Sequence, residues 1–91
     1  MTRWRRATDA LWRWNGPRVV VLGAGAEEVV MLDGAGAWLW ELLEAGPDQA
    51  TLTTELGELF EAPVQQIEAD VTALLVDLEA RGIVVREPMQ P

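Results

Sequence analysis

The side chains available for chemistry in this chain are threonines, carboxylates, arginines, amides and five tryptophans; serine, cysteine, histidine, lysine and tyrosine are absent. General acid–base and nucleophilic catalysis near neutral pH draws chiefly on imidazole, thiolate, an activated serine or a lysine of lowered pKa. What remains can form hydrogen bonds, ion pairs and aromatic contacts, so it suits binding, and no catalytic residue is expected. Without imidazole or thiolate only oxygen ligands are open to a metal, and the acids do not follow a calcium-loop spacing. Neither a metal site nor a cofactor is expected. The run Val19-Val20-Val21-Leu22-Gly23-Ala24-Gly25 has the outline of a dinucleotide-binding loop. That loop needs a helix directly after its glycines. Glu27-Glu28-Val29-Val30 reads as strand, and Glu28 stands where the third glycine belongs, so the glycines are read as a hairpin turn.

Charge sorts the possible partners. The net charge is −8, yet residues 1–18 hold Arg3, Arg5, Arg6, Arg13 and Arg18 against Asp9 alone. Residues 27–91 hold fourteen acids against Arg81 and Arg86. Phosphate backbones are held by Lys and Arg, so the acidic part repels nucleic acid. The basic N-terminus is expected to be a solvated tail or one docked on the acidic body, the alternative being that it reaches an acidic partner. Ninety-one residues suffice for one hydrophobic core. Zero cysteines fit a reducing compartment. No stretch approaches the roughly 20 apolar residues of a membrane span, and nothing resembles a signal peptide. A cytoplasmic protein that binds no membrane is the expectation.

The elements that must position these side chains follow from periodicity. Leu11-Trp12-Arg13-Trp14 reads as a strand, and Asn15-Gly16 supplies the positive φ angles of a tight hairpin. A second strand is expected over Arg18–Leu22 and a third over Glu27–Leu32. The period then becomes helical, with Asp33 as N-cap and Ala35, Leu39, Leu42 and Leu43 on one stripe as far as Ala45. Gly46-Pro47 stops that helix. Thr51 or Thr53 is expected to cap a second helix, with Leu52, Leu56, Leu59 and Phe60 inward. A third helix starts at Pro63 and buries Val64, Ile67, Val71, Leu74, Leu75 and Leu78, leaving Gln65, Gln66, Glu68, Asp70 and Glu79 outward. Gly82 ends it, and Ile83-Val84-Val85 returns as a short strand or packed tail. The predicted organisation is a basic tail over 1–10, one α+β domain over 11–86 and a C-terminal tail over 87–91.

Between Leu32 and Val84, Leu32-Asp33 leads into Ala37-Trp38-Leu39-Trp40-Glu41-Leu42-Leu43, and the last helix carries Asp70-Val71, Leu74-Leu75 and Gly82. In this order and spacing the segments resemble the PqqD-like family of RiPP recognition elements. With the meander the resemblance spans roughly residues 11–85. The chain departs from the family in carrying Glu61 where a glycine usually follows the second helix, and in lacking an aromatic on the third strand.

The resemblance implies a winged-helix-like fold, an N-terminal three-stranded antiparallel meander followed by three helices. It implies a non-catalytic peptide chaperone, which binds the leader of a ribosomally made precursor as a strand added to the third strand. The leader would be presented to a tailoring enzyme or a leader peptidase. On this chain the edge would be Glu28, Val29, Val30 and Met31, and the helical wall Gln66, Ile67, Asp70, Val71 and Leu74. Trp40 matches the family's tryptophan, whereas Trp38 stands where a small residue is common and lies about 200° around the helix from Trp40. Trp38 is therefore expected to be partly exposed and to contact a partner enzyme. An open strand edge also allows a homodimer. Two other readings are a module of an enzyme complex that binds no leader, and a winged-helix DNA-binding regulator, which the acids of the third helix disfavour.

Overall fold

The computed structural model describes residues 2–88, and the elements run β1 (Thr2–Arg6), β2 (Leu11–Asn15), β3 (Arg18–Leu22), β4 (Val30–Leu32), α1 (Ala35–Leu42), a 3-10 turn (Leu43–Ala45), α2 (Gln49–Phe60), α3 (Val64–Ala80) and β5 (Val84–Pro88). The expected meander is present. β2 pairs antiparallel with β3 through the Asn15-Gly16 turn, where Gly16 has φ 63°. β3 pairs with β4, and the sheet order is β2-β3-β4. Alternation along the strands sends Trp12, Trp14, Val19, Val21, Val30 and Leu32 to the helical side, where Val19, Val21 and Leu32 are buried.

The stretch read as a basic tail is a strand. β1 pairs antiparallel with β5, with Trp4 opposite Arg86. Trp4 alternates with Arg3 and Arg5, so it turns inward and is buried. Glu87 and Pro88, assigned to a C-terminal tail, belong to β5; residues 89–91 of that tail lie outside the described residues. The arginines of β1 supply what the end of α1 lacks. A helix leaves its last carbonyls without intrahelical donors. Arg6 Nε and Nη2 donate to the Trp40 carbonyl oxygen at 3.0 and 2.7 Å. Arg3 Nε and Nη2 donate to the carbonyl oxygens of Gly46 and Ala45 at 3.1 and 3.2 Å. The Arg6 guanidinium also lies 4.5 Å from the Trp12 ring centre and 5.1 Å from that of Trp40.

Caps account for most differences at the helix ends. Gly34, with φ 53°, is the N-cap of α1, whereas Asp33 contributes only its carbonyl, which accepts from Gly36 N–H at 2.9 Å. Asp48, not a threonine, caps α2: its Oδ1 accepts from Thr51 N–H at 2.8 Å. That bond holds the Asp48 carboxyl below its ordinary value, and the Arg86 fork on Glu79, 2.7 Å on each arm, does the same for Glu79. Both shifts favour the charged form in the folded state alone. Their contribution is complete above the ordinary carboxylate pKa and is lost as pH falls through the lowered one. Urea midpoints measured from pH 6 to pH 2.5 are expected to hold until about pH 5 and then decline. Asp48→Asn and Glu79→Gln together are expected to flatten that decline.

At the far end of α2, Glu61 adopts left-handed backbone with φ 48°, and its N–H donates to the Gly57 carbonyl at 3.0 Å. The turn is thus of the kind a glycine favours, kept by a residue with a Cβ. Glu61→Gly is expected to raise stability by about 0.5–1 kcal/mol, read as a higher urea midpoint at unchanged m-value. α3 ends in a Schellman turn, with Ile83 N–H on the Leu78 carbonyl and Gly82 N–H on the Glu79 carbonyl, and Gly82 at φ 74°.

The core gathers Trp4, Val19, Val21, Leu39, Trp40, Leu43, Leu52, Leu56, Leu75, Leu78, Ile83 and Val84, so both sheets share it with all three helices. Leu59, Phe60 and Val64, expected inward, are exposed. They sit where α2 ends and α3 begins, so a helical stripe that is inward along the helix has no neighbour to meet there. Ala35 is likewise exposed and Leu42 half-buried; Ala37 and Trp40 take the inward positions on α1.

Candidate functional site

β4 is three residues long and forms an outer edge of its sheet. It packs on β3 and on the start of α1 rather than broadly on α3. α3 has two adjacent stripes. Ile67, Val71, Leu75 and Leu78 are buried against the core. Gln66, Asp70, Leu74, Asp77 and Arg81 follow the same helical spacing one row over, exposed except for half-buried Leu74. Leu74 reaches the junction of β4 and α1, because a Cβ placed on Gly36 would sit 3.6 Å from Leu32 and 3.8 Å from Leu74.

Two hollows open along α3. One, of about 60 Å³, lies between Ala35 and Leu39 of α1, Leu56 of α2, and Ile67, Asp70, Val71 and Leu74 of α3. The other, of about 340 Å³, lies between Gly23, Ala26, Glu27, Glu28 and Val30 on the strand side and Arg81 and Ile83 on the helix side. Gly23 makes this second junction possible: a Cβ there would come 2.8 Å from the Arg81 carbonyl oxygen. Taken as one candidate groove along α3, the two hollows, which share no lining residue, have the outer edge of β4 at Val30, to which no strand pairs among the described residues. They add an apolar wall at Leu74 and carboxylates at Glu27, Glu28 and Asp70, with Asp77 on the same row of α3. Their one cation, Arg81, is held by Asp77 at 3.1 Å. Such a groove can take an extended peptide, pairing its backbone and burying an apolar side chain.

The family profile described as Coenzyme PQQ synthesis protein D (PqqD) matches residues 18–84, well over half of the sequence. The chain belongs to the PqqD family. Two solved structures share its fold over nearly its whole length. "TbiB1 in Complex with the TbiA(beta) Leader Peptide" superposes with a TM-score of 0.81 at 18% identity, covering 96% of this chain and 99% of that one. "Lasso peptide synthetase B1 complexed with the leader peptide" gives 0.80 at 20% identity, covering 91% and 98%. No curated protein matches the sequence. The PqqD profile starts at β3, whereas the first structural match extends over 96% of the chain.

Against this PqqD frame, the residues expected in the site divide into groups. Val30 and Met31 lie on β4, Val30 turned to the helical side and Met31, half exposed, to the other face. Glu28 and Val29 precede the strand and are exposed, so the third strand is shorter than the Glu27–Leu32 run suggested. The turn explains this: Gly25 has φ 75°, Ala26 N–H closes on the Gly23 carbonyl at 3.0 Å, and the chain is still bending at Glu27 and Glu28. Ile67 and Val71 are core residues that meet the groove only through the small hollow. Gln66, Asp70 and Leu74 lie on the stripe beside it. Asp77, Arg81 and Gly23 lie beside the same hollows and are not among the expected residues. Extending the i, i+4 row from Asp70 and Leu74 toward Gly82 would have found the first two. Among the described residues no group of acids is placed to hold a metal ion, and no helix is long and apolar enough to cross a membrane.

Proposed function

We propose that this chain carries the leader of a ribosomally made precursor peptide as a strand beside β4 and presents it to a tailoring enzyme or a leader peptidase. The observation that supports this most is the outer edge of β4, to which no strand pairs among the described residues, in a fold shared with two solved proteins whose structures hold leader peptides. The chain supplies no chemistry of its own in this reading. It acts in the cytoplasm by raising the concentration of precursor at an enzyme on another chain.

The energetics divide the work between backbone and side chains. A three-residue edge offers few hydrogen bonds, each worth about 0.5–1.5 kcal/mol net. Backbone pairing therefore fixes direction and register and cannot by itself select a sequence. Selection falls to Leu74, which receives an apolar leader side chain, and to Asp70, Glu27 and Glu28, which favour a basic one. Gln66 adds a neutral donor and acceptor at the end of the same stripe.

The test is fluorescence anisotropy of fluorescein-labelled N-terminal segments of the small open reading frames that neighbour this gene, at moderate salt. Saturable binding with one-to-one stoichiometry is expected for one of them. Absence of binding by every such segment would overturn the reading. Sedimentation across the same concentrations separates leader binding from self-pairing of two copies at the β4 edge.

A further inference from the structure

The exposed tryptophans do not belong to the groove. Trp14 and Trp38 are 46% and 49% exposed, although Trp40, two residues from Trp38, is completely buried. With Pro17, Gly34, Ala37 and Glu41 they line a cleft of about 450 Å³. Positions 34, 37, 38 and 41 form one helical stripe at the entry of α1. Trp14 faces that stripe from β2, the sheet edge opposite β4. The cleft and the leader groove are therefore open at the same time.

The lining has a definite chemistry. Two indoles line it, and Glu41 is the one ionisable residue among the lining side chains. Among the described residues Glu41 makes no ion pair. Arg6 is near enough for its charge to act on Glu41, but its donors go to the backbone carbonyls of Trp40 and Glu41, and Arg18 faces Asp33 at 3.9 Å. An apolar occupant would strip water from the Glu41 carboxylate and return nothing to it. A planar guanidinium stacks on indole faces and donates a fork to a carboxylate, whereas an ammonium is a compact and strongly hydrated charge.

We propose that this cleft receives an arginine side chain displayed by the enzyme that takes over the leader. The ownership of that arginine rests on the leader-carrier reading; the preference for a guanidinium does not. Placement on the opposite sheet edge lets the enzyme dock without displacing the leader.

The experiment follows the indole N–H signals of the full chain, ¹⁵N-labelled, during titration with acetyl-Gly-Arg-Gly-amide. The same peptide with lysine, citrulline or leucine in place of arginine serves for comparison. The Trp14 and Trp38 signals are expected to shift saturably with the arginine peptide, and those of Trp4 and Trp40 to stay. The lysine peptide is expected to bind at least about threefold more weakly, and Glu41→Gln to lower the arginine affinity by about fivefold or more. Equal shifts from the leucine or citrulline peptide, or none from the arginine peptide, would overturn the proposal. Leader anisotropy on the same Glu41→Gln sample is expected to be unchanged. If no leader binds while the arginine peptide does, the leader-carrier reading falls and the guanidinium site stands.

Discussion

Leu74→Gln is expected to weaken leader binding by roughly tenfold to a hundredfold, because burying a leucine-sized contact is worth about 1.5–3 kcal/mol. The substitution keeps the length of the side chain and its helix propensity. It removes the apolar surface that the groove would offer a leader side chain, together with the packing of Leu74 on the edge of the core. Leu74 is half-buried against the core in the free chain, so the urea midpoint is expected to fall modestly while the chain stays folded. Val71→Gln provides the contrast. Val71 is 3% exposed in the core, and the same polar change there is expected to unfold the chain rather than to report on the groove. A complementary scan places N-methyl groups along the bound leader. Strand addition requires alternate backbone N–H groups to face β4, so losses are expected at every second residue and near-parent affinity between them. A loss profile without that alternation would rule out pairing at β4, whatever Leu74→Gln does.

The parts of this structure that were legible share one property: their determinants are local. Asn15-Gly16 requires a tight hairpin, Gly82 stops α3, and the spacing of Ile67, Val71, Leu75 and Leu78 fixes the inward face of that helix. The 200° between Trp38 and Trp40 was enough to separate an exposed indole from a buried one. What escaped depends on distant partners. The alternation of Arg3, Trp4 and Arg5 is a strand signal, yet nothing near it in sequence names Val84–Pro88 as the strand it joins. Helix caps were misread where several capping residues stood close together, as at Asp48, Thr51 and Thr53. The short β4 had the opposite cause. Glu27-Glu28-Val29 is compatible with strand by composition, but the Gly23–Ala26 turn leaves the chain bending there. In the site, residue types identified which α3 positions are polar. Only the shared approach of Leu32 and Leu74 to Gly36 shows that the Leu74 turn of α3 lies beside the end of β4.

The N-terminal arginines carry the second large effect. Arg6→Ala is expected to cost about 2–5 kcal/mol, summing charged hydrogen bonds of about 1.5–3 kcal/mol with a cation–π contribution of about 0.5–2 kcal/mol. The geometry behind this figure is a fork on the Trp40 carbonyl, a longer bond of 3.4 Å to the Glu41 carbonyl, and two indole rings around one guanidinium. Burial lowers the Arg6 pKa from its ordinary value, partly offset by the charges of Glu44 and Glu41. An arginine nevertheless stays protonated, so the charge-assisted bonds persist at any working pH. Arg6→Lys separates shape from charge. Its ammonium cannot fork on one carbonyl while lying flat between Trp12 and Trp40, so at least half of the loss is expected to remain. Arg6 also joins β1 to the end of α1 and holds Trp12 of the meander 5.6 Å from Trp40. It thus helps to set how the β2-β3-β4 sheet sits on the helices, and so where β4 lies relative to α3. Urea denaturation followed by tryptophan fluorescence gives the stability change, and leader anisotropy on the folded fraction gives the effect on the groove. A stability loss under about 0.5 kcal/mol would assign the N-terminal strand a peripheral place. A large loss with leader affinity nearly intact would mean that the groove depends on β4 and α3 alone once the chain has folded.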